Sequence, residues 1–295
     1  MAQQPEHIRL LTIHDIPALE RLLYTSEYVY QRFTREELPF LLQHAPAVGY
    51  WHDVSLHGFL LSQNLNIPSA WIGGFGVSWT ESRAYQRILF SLLEQLAHEL
   101  KRQSVRYLHY SGNNSEEDWL RTILLMRGFI PHRMLYAYDK YDYGIPSEGN
   151  PQVQLRPVCL RDLQLGEQSD MAALLTIEDA CFEQLWRYNA AGFLDIAATH
   201  SYFVVAELNG KVVGYQFNAL DGDSGYLVRI AVHPSYSHQG VGARLMAAAV
   251  RFFQQAHVSR ILLNTQEENV HAHHLYEWFG FIRMQQMGFV LRKSL

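Results

Sequence analysis

Residues 226–246 read Tyr226-Leu227-Val228-Arg229-Ile230-Ala231-Val232, His233-Pro234-Ser235-Tyr236-Ser237-His238, Gln239-Gly240-Val241-Gly242-Ala243, Arg244-Leu245-Met246. An apolar, strand-like run passes through a short glycine turn into a helix-forming run. That order builds an anion site. Glycine lets the backbone turn tightly and leaves no side chain in the way of a ligand. The first amides of the following helix have no acceptors within it, and they sit at the positive end of its dipole. A phosphate is the natural guest there.

A second pattern follows: Asn269-x-x-Ala272-x-x-Leu275-Tyr276-x-x-x-Gly280-Phe281. Val232-His233-Pro234 with Gln239-Gly240-Val241-Gly242 resembles the acyl-CoA motif of the GNAT superfamily of N-acyltransferases, Arg/Gln-x-x-Gly-x-Gly/Ala after a strand. Both glycines are present, but Ser237 stands at the Arg/Gln position. The later pattern resembles the closing GNAT motif at the right distance, and together the two cover about 204–284.

The resemblance implies acetyl-CoA as cosubstrate and direct acetyl transfer to a primary amine. Main-chain groups of Ile230, Ala231 and Val232 would meet the pantetheine arm, and His238, Gln239, Gly240, Val241, Gly242 and Ala243 would cradle the diphosphate. An amide near Ala231 or Val232 would donate to the oxyanion. Acyl transfer from a thioester also needs a proton for the leaving thiolate. With a phenol pKa of about 10 against about 8.5 for a thiol, Tyr276 suits that role. Taken alone it reads as an aromatic anchor of the last helix. Asn269 reads as a helix cap and, in the family, as a pantetheine contact.

The base is less legible. Glu178-x-x-x-Phe182 and Trp186 resemble the substrate helix and loop of acetyltransferases acting on protein amino termini. Those enzymes place a Glu five residues before the motif Asn. Here that position is Asn264, so a water held by Asn264 and relayed to Glu178, Glu267 or Asp223 is the expected substitute. His271, His273 and His274 cluster, yet only His271 and His274 share a helix face, and nothing completes a chelate at metal-site spacing. No metal is expected.

The two halves of the 295 residues echo each other. Arg9 precedes Asp15 and Arg156 precedes Asp162 by the same six positions, and Gly128-Phe129 matches Gly280-Phe281. The offsets, 147 and 152, indicate a duplicated domain. The first half lacks the glycine turn, with Thr80-Glu81-Ser82-Arg83-Ala84 in its place. Leu124 stands at the Tyr276 position and Glu117 at the Asn269 position. It reads as a degenerate copy, a second acyl-CoA site being the alternative.

The expected organisation is a degenerate domain at 1–140, a linker at 141–151 and an acetyltransferase domain at 152–295. Each domain is α/β (α+β), a mixed, mostly antiparallel sheet flanked by helices. In the first half, apolar spacing predicts helices over 18–24, 85–100 and 119–126, with strands over 48–51, 56–61, 71–79 and 105–110. In the second it predicts helices over 171–182, 191–198 and 241–257 and a short one ending at 275. Its strands are expected over 155–158, 202–207, 211–219 and 260–265, with the hairpin turn at Asn209-Gly210 and two short strands around Met284 and Val290.

Hydrophobic residues are 48% and charged ones 18%, a globular composition, and a net charge of -5 points to no nucleic-acid or acidic-membrane partner. Cys159 and Cys181 form no disulfide framework. The first nine residues are polar and no run is long enough to span a bilayer, so a cytoplasmic monomer or homodimer is expected. Two rival readings stay open: a mycothiol-synthase-like acetyltransferase, also a tandem GNAT, and a non-catalytic acyl-CoA sensor or scaffold.

Overall fold

The computed structural model describes residues 6–113, 118–164 and 169–295. Glu117 lies outside them. The chain forms two compact units, Met1–Arg133 with Phe289–Leu295, and Met134–Gly288. The stretch 141–151, expected as a linker, lies inside the second.

The first unit contains β1 (Glu6–Leu10), α1 (Ile16–Thr25), β2 (Ser26–Gln31), α2 (Leu38–His44), β3 (Ala47–His52), β4 (Ser55–Asn66), β5 (Ser69–Ser78), α3 (Tyr85–Arg102), β6 (Tyr107–Asn113) and α4 (Trp119–Met126). Its strands run β1-β3-β4-β5-β6, with only β5 and β6 parallel. The apolar stripe of α3 is buried as its spacing requires: Ile88, Leu89, Leu92, Leu93, Leu96 and Leu100 all leave water. Each such side chain contributes about 1.5–3 kcal/mol of transfer free energy. Neither β2 nor α2 was expected.

A strand β7 (Ile130–Lys140) leads into the second unit, which holds β8 (Gln154–Pro157), α5 (Asp170–Cys181), α6 (Ala190–Thr199), β9 (Tyr202–Leu208), β10 (Lys211–Asp221), β11 (Ser224–Val232), α7 (Val241–Gln255), β12 (Arg260–Gln266) and α8 (Val270–Trp278). The order is β7-β12-β11-β10-β9-β8, again with one parallel pair, β11 and β12. One face packs α5 and α6 through Leu174, Ile177, Phe193, Tyr215 and Phe217. The other packs α7 through Val213, Val241 and Leu245. The two short strands expected around Met284 and Val290 are one, β13 (Ile282–Ser294), because Gly288 keeps extended backbone and makes no turn.

The sequence echoes have physical causes. Asp15 accepts from the Thr12 amide and Asp162 from the Cys159 amide, both at 2.8 Å, so each caps the turn after its first strand. Gly128 and Gly280 end α4 and α8 in left-handed conformation, with φ of 81° and 82°. The next amides, of Phe129 and Phe281, donate back to the carbonyls of Leu124 and Tyr276 at 3.1 and 3.0 Å. The Leu124–Tyr276 equivalence counted from sequence is thus the same place on corresponding helices, α4 and α8.

Candidate functional site

In the second unit the parallel pairing of β11 with β12 stops at Tyr226 and Leu262. Beyond it β11 follows β10 to Val232, and β12 follows β7 to Gln266. The two strands therefore separate, and a cleft of about 970 Å³ opens along the freed edge of β11. Ile230, Ala231 and Val232 line it. The His233 amide donates to the Val213 carbonyl. Alternation along an antiparallel ladder then turns the Ala231 amide to β10 and those of Ile230 and Val232 to the cleft. Of the two amides expected at the oxyanion, that of Val232 is the one turned to the cleft.

The turn before α7 forms the next wall. Gly240 is left-handed, at φ 75°, and caps the helix; His238 is left-handed too, at 60°. A Cβ on Gly240 would meet the Asn150 backbone nitrogen at 2.9 Å, whereas one on Gly242 would make ordinary contacts, the nearest being Leu275 at 3.4 Å. The Asn150 amide donates to the Gly240 carbonyl at 3.2 Å, and its Nδ2 to the Gln239 carbonyl at 2.9 Å. Gly149 sits so close that a Cβ would lie 2.3 Å from the Arg244 nitrogen. The amides of the first turn of α7 have no acceptors within that helix. His238, Gln239, Gly240, Gly242 and Ala243 line the cleft, while Val241 is buried in the core.

From α8 come Asn269 and Tyr276. Asn269 caps the helix, its Oδ1 accepting from the Ala272 amide at 3.3 Å. Tyr276 lies edge-on to Tyr138, ring centroids 5.8 Å apart, and near Phe281. Among the described residues its hydroxyl makes no hydrogen bond. Burial pushes the phenol pKa above its usual value, so the proton stays on the oxygen. Cys181 also lines the cleft, although it belongs to neither motif. Burial, then the neighbouring Glu178, push its thiol up to about 11, and it donates to the Val232 carbonyl at 3.2 Å. It is a protonated hydrogen-bond donor rather than a nucleophile.

Glu178 is buried at the inner end of a polar cluster. Its carboxylate accepts from the Tyr188 amide at 2.7 Å, from the Tyr215 hydroxyl, and from Arg229 at 3.2 and 3.3 Å. Burial raises its pKa and Arg229 opposes that. Arg229 in turn donates to the Trp186 carbonyl at 2.8 Å and lies over the rings of Phe182 and Tyr188. The group pins the loop 182–188 to β11. Asn264 is exposed on β12 opposite Ala137, outside the cleft lining. Glu267 accepts from the Tyr136 hydroxyl at 2.6 Å, and Asp223 from Ser259 at 2.9 Å, at the far end of β11. The structure brings none of the four together. Arg229 and Cys181 were missed because neither stands in a recognisable spacing; the cluster forms only across the fold.

In the first unit β5 and β6 part in the same way after Trp71 and His109. There the gap is filled. β2 pairs antiparallel with β5 from Gln31↔Gly74 to Ser26↔Ser78, and the Tyr30 hydroxyl donates to the Ser111 carbonyl of β6 at 3.0 Å. Tyr28 stacks on Tyr85 at the start of α3, centroids 4.0 Å apart. The helix is entered through a 3₁₀ turn, Trp79–Ala84, that contains no glycine.

Residues 171–281 match the profile of the Acetyltransferase (GNAT) family. A tandem GNAT protein from the clavulanic acid biosynthesis pathway superposes with a TM-score of 0.68 at 10% identity, covering 98% of each chain, a likeness of fold alone. N-alpha-acetyltransferase 30 of Saccharomyces cerevisiae is 40% identical over 63 residues, 21% of this chain and 36% of that one. An uncharacterized N-acetyltransferase of Methanocaldococcus jannaschii is 31% identical over 80 residues, 27% and 51% of the two chains. The chain thus spans about a third to a half of the length of these curated relatives. No helix among the described residues is long and apolar enough to cross a membrane, and no group of three or more metal-ligating side chains occurs among them.

Proposed function

We propose, from the match of residues 171–281 to the GNAT acetyltransferase profile and the likeness of the whole chain to a tandem GNAT fold, that the second unit transfers acetyl from acetyl-CoA directly to a primary amine of a small molecule or peptide. The observation that carries this is the left-handed Gly240 turn opening onto the gap between β11 and β12, with a protonated phenol in its wall. The likeness to an N-alpha-acetyltransferase places free peptide amino termini among the acceptors to test.

The residues divide the work by position. First-turn amides of α7 hold the diphosphate. The outward edge of β11 and Asn269 hold the pantetheine arm. The Val232 amide donates to the carbonyl oxygen as negative charge develops on it. The amine enters as free base, the new C–N bond forms as the C–S bond breaks, and the surplus proton of the nitrogen leaves to water. Tyr276 gives its proton to the departing thiolate and regains one from solvent. Glu178 and Arg229 fix the loop that borders the acceptor side.

Incubation with acetyl-CoA and a panel of amines, amino acids, aminoglycosides and peptides is expected to release thiol only with an acceptor, with the acetyl recovered on its nitrogen by mass spectrometry. CoA binding without release for any acceptor would favour the sensor reading. The first unit we read as a copy whose cleft is occupied by β2, so titration calorimetry is expected to give one CoA per chain; two would overturn that reading.

The two motif glycines should differ. Gly240→Ala forces a Cβ into a left-handed backbone, about 1–2 kcal/mol, beside the Asn150 backbone, and is expected to weaken CoA binding by about tenfold or more. Gly242→Ala is expected to bind within a few-fold of the parent, since its Cβ meets only ordinary contacts. Equal losses at both would mean that the turn conformation is not what holds the ligand.

A further inference from the structure

The cleft's lining includes no Lys, Arg, Asp or Glu among the described residues. The position where related turns carry Arg or Gln is Ser237. The first arginine of α7, Arg244, sits 3.7 Å from Glu148, which also binds Arg251. Among the described residues, three imidazoles remain as the lining side chains able to carry positive charge: His238 on the turn, and His271 and His274 on α8. The rings of His238 and His271 meet edge to face, centroids 5.6 Å apart, bridging the turn and the start of α8. His273, between His271 and His274 in sequence, is committed elsewhere. Its Nδ1 lies 2.7 Å from the Tyr138 hydroxyl, and its Nε2 faces the carbonyls of Gln266 and Glu267 at 3.1 Å. Of the neighbouring carboxylates, Glu148 is taken by the two arginines and Glu267 by Tyr136, and Glu268, three residues before His271, is engaged as well.

Resting on the acyl-CoA reading above, we propose that His238 and His271 together supply the side-chain charge that holds the diphosphate, in place of the missing arginine. A diphosphate diester stays anionic across the neutral range, while histidine is the side chain that gains charge between about pH 8 and 5. Binding is therefore proton-linked: the anion favours the charged imidazoles, so affinity rises as pH falls.

The test is direct binding of dephospho-CoA by calorimetry at pH 8 and pH 6. This probe avoids the 3′-phosphate of CoA, a phosphomonoester that itself titrates near about pH 6. Kd is expected to be about five- to tenfold lower at pH 6, about tenfold being the limit for one imidazole when the ligand favours its charged form by about 1.4 kcal/mol. His238→Gln with His271→Gln is expected to bind at pH 6 as the parent does at pH 8, with unchanged thermal melting. His271→Lys is expected to bind tightly at both. Equal parental affinity at the two pH values, or acid tightening that survives the double substitution, overturns the proposal. Absence of binding at any pH removes the cofactor reading, and this inference with it.

Discussion

Tyr276→Phe is expected to lower kcat by about 100-fold or more, the usual range for loss of a positioned acid, while CoA affinity and thermal stability stay at parental values. The reasons lie in the packing. The ring fills space beside Tyr138 and Phe281, and phenylalanine fills the same space. The hydroxyl makes no hydrogen bond to the described residues, so its removal leaves no buried partner stranded. On the proposed acyl transfer, what disappears is the proton for the thiolate. Burial holds the phenol pKa above its ordinary value, so the acid form persists throughout the neutral and mildly alkaline range. The parent's activity therefore shows no fall from this group between pH 6 and about 9. The check is steady-state kinetics with a saturating acceptor, beside calorimetry for CoA. A phenylalanine variant as active as the parent would take Tyr276 out of the chemistry.

Glu178→Ala is expected to cost about 3–5 kcal/mol of stability, measured by urea denaturation. The carboxylate is buried and shared among Arg229, Tyr215 and the Tyr188 amide. Without it the guanidinium of Arg229, itself largely buried, loses its counter-charge. Removing one partner of such a pair is far costlier than replacing both, so Glu178→Leu with Arg229→Met is expected to recover most of the loss. A single variant within 1 kcal/mol of the parent, by the same measure, would show that the cluster does not hold the loop. Glu178→Gln separates position from proton transfer. Parental folding with a 100-fold drop in kcat, and unchanged KM for acetyl-CoA, would return Glu178 to the role of base.

Much of the candidate site's geometry is legible in the sequence because it is local. The glycine turn, the Asn269 cap and Tyr276 fall within two short stretches, and their spacing alone encodes their geometry. The repeat was legible for the same reason: Asp15 and Asp162 cap turns three residues back, and Gly128 and Gly280 stop helices in place. Contacts distant in sequence were not. Glu178 meets Arg229 only because α5 packs over β10 and β11. Asn264 was placed by counting, yet strand alternation puts its neighbours Leu263 and Thr265 inside and Asn264 outside. The signal for β2 was present in Tyr28-Val29-Tyr30, residues that favour strands, but its partner lies more than forty positions away in β5.

The seam at 147–150 has a practical corollary. Its amides and its one indispensable glycine are built into the floor beneath Gln239 and Gly240. A fragment trimmed to begin at 152 would look like a tidy module on paper, yet would lack the brace under its own Gly240 turn. Shuffling or truncating such duplicated proteins at the apparent joint therefore removes part of the tool along with the handle.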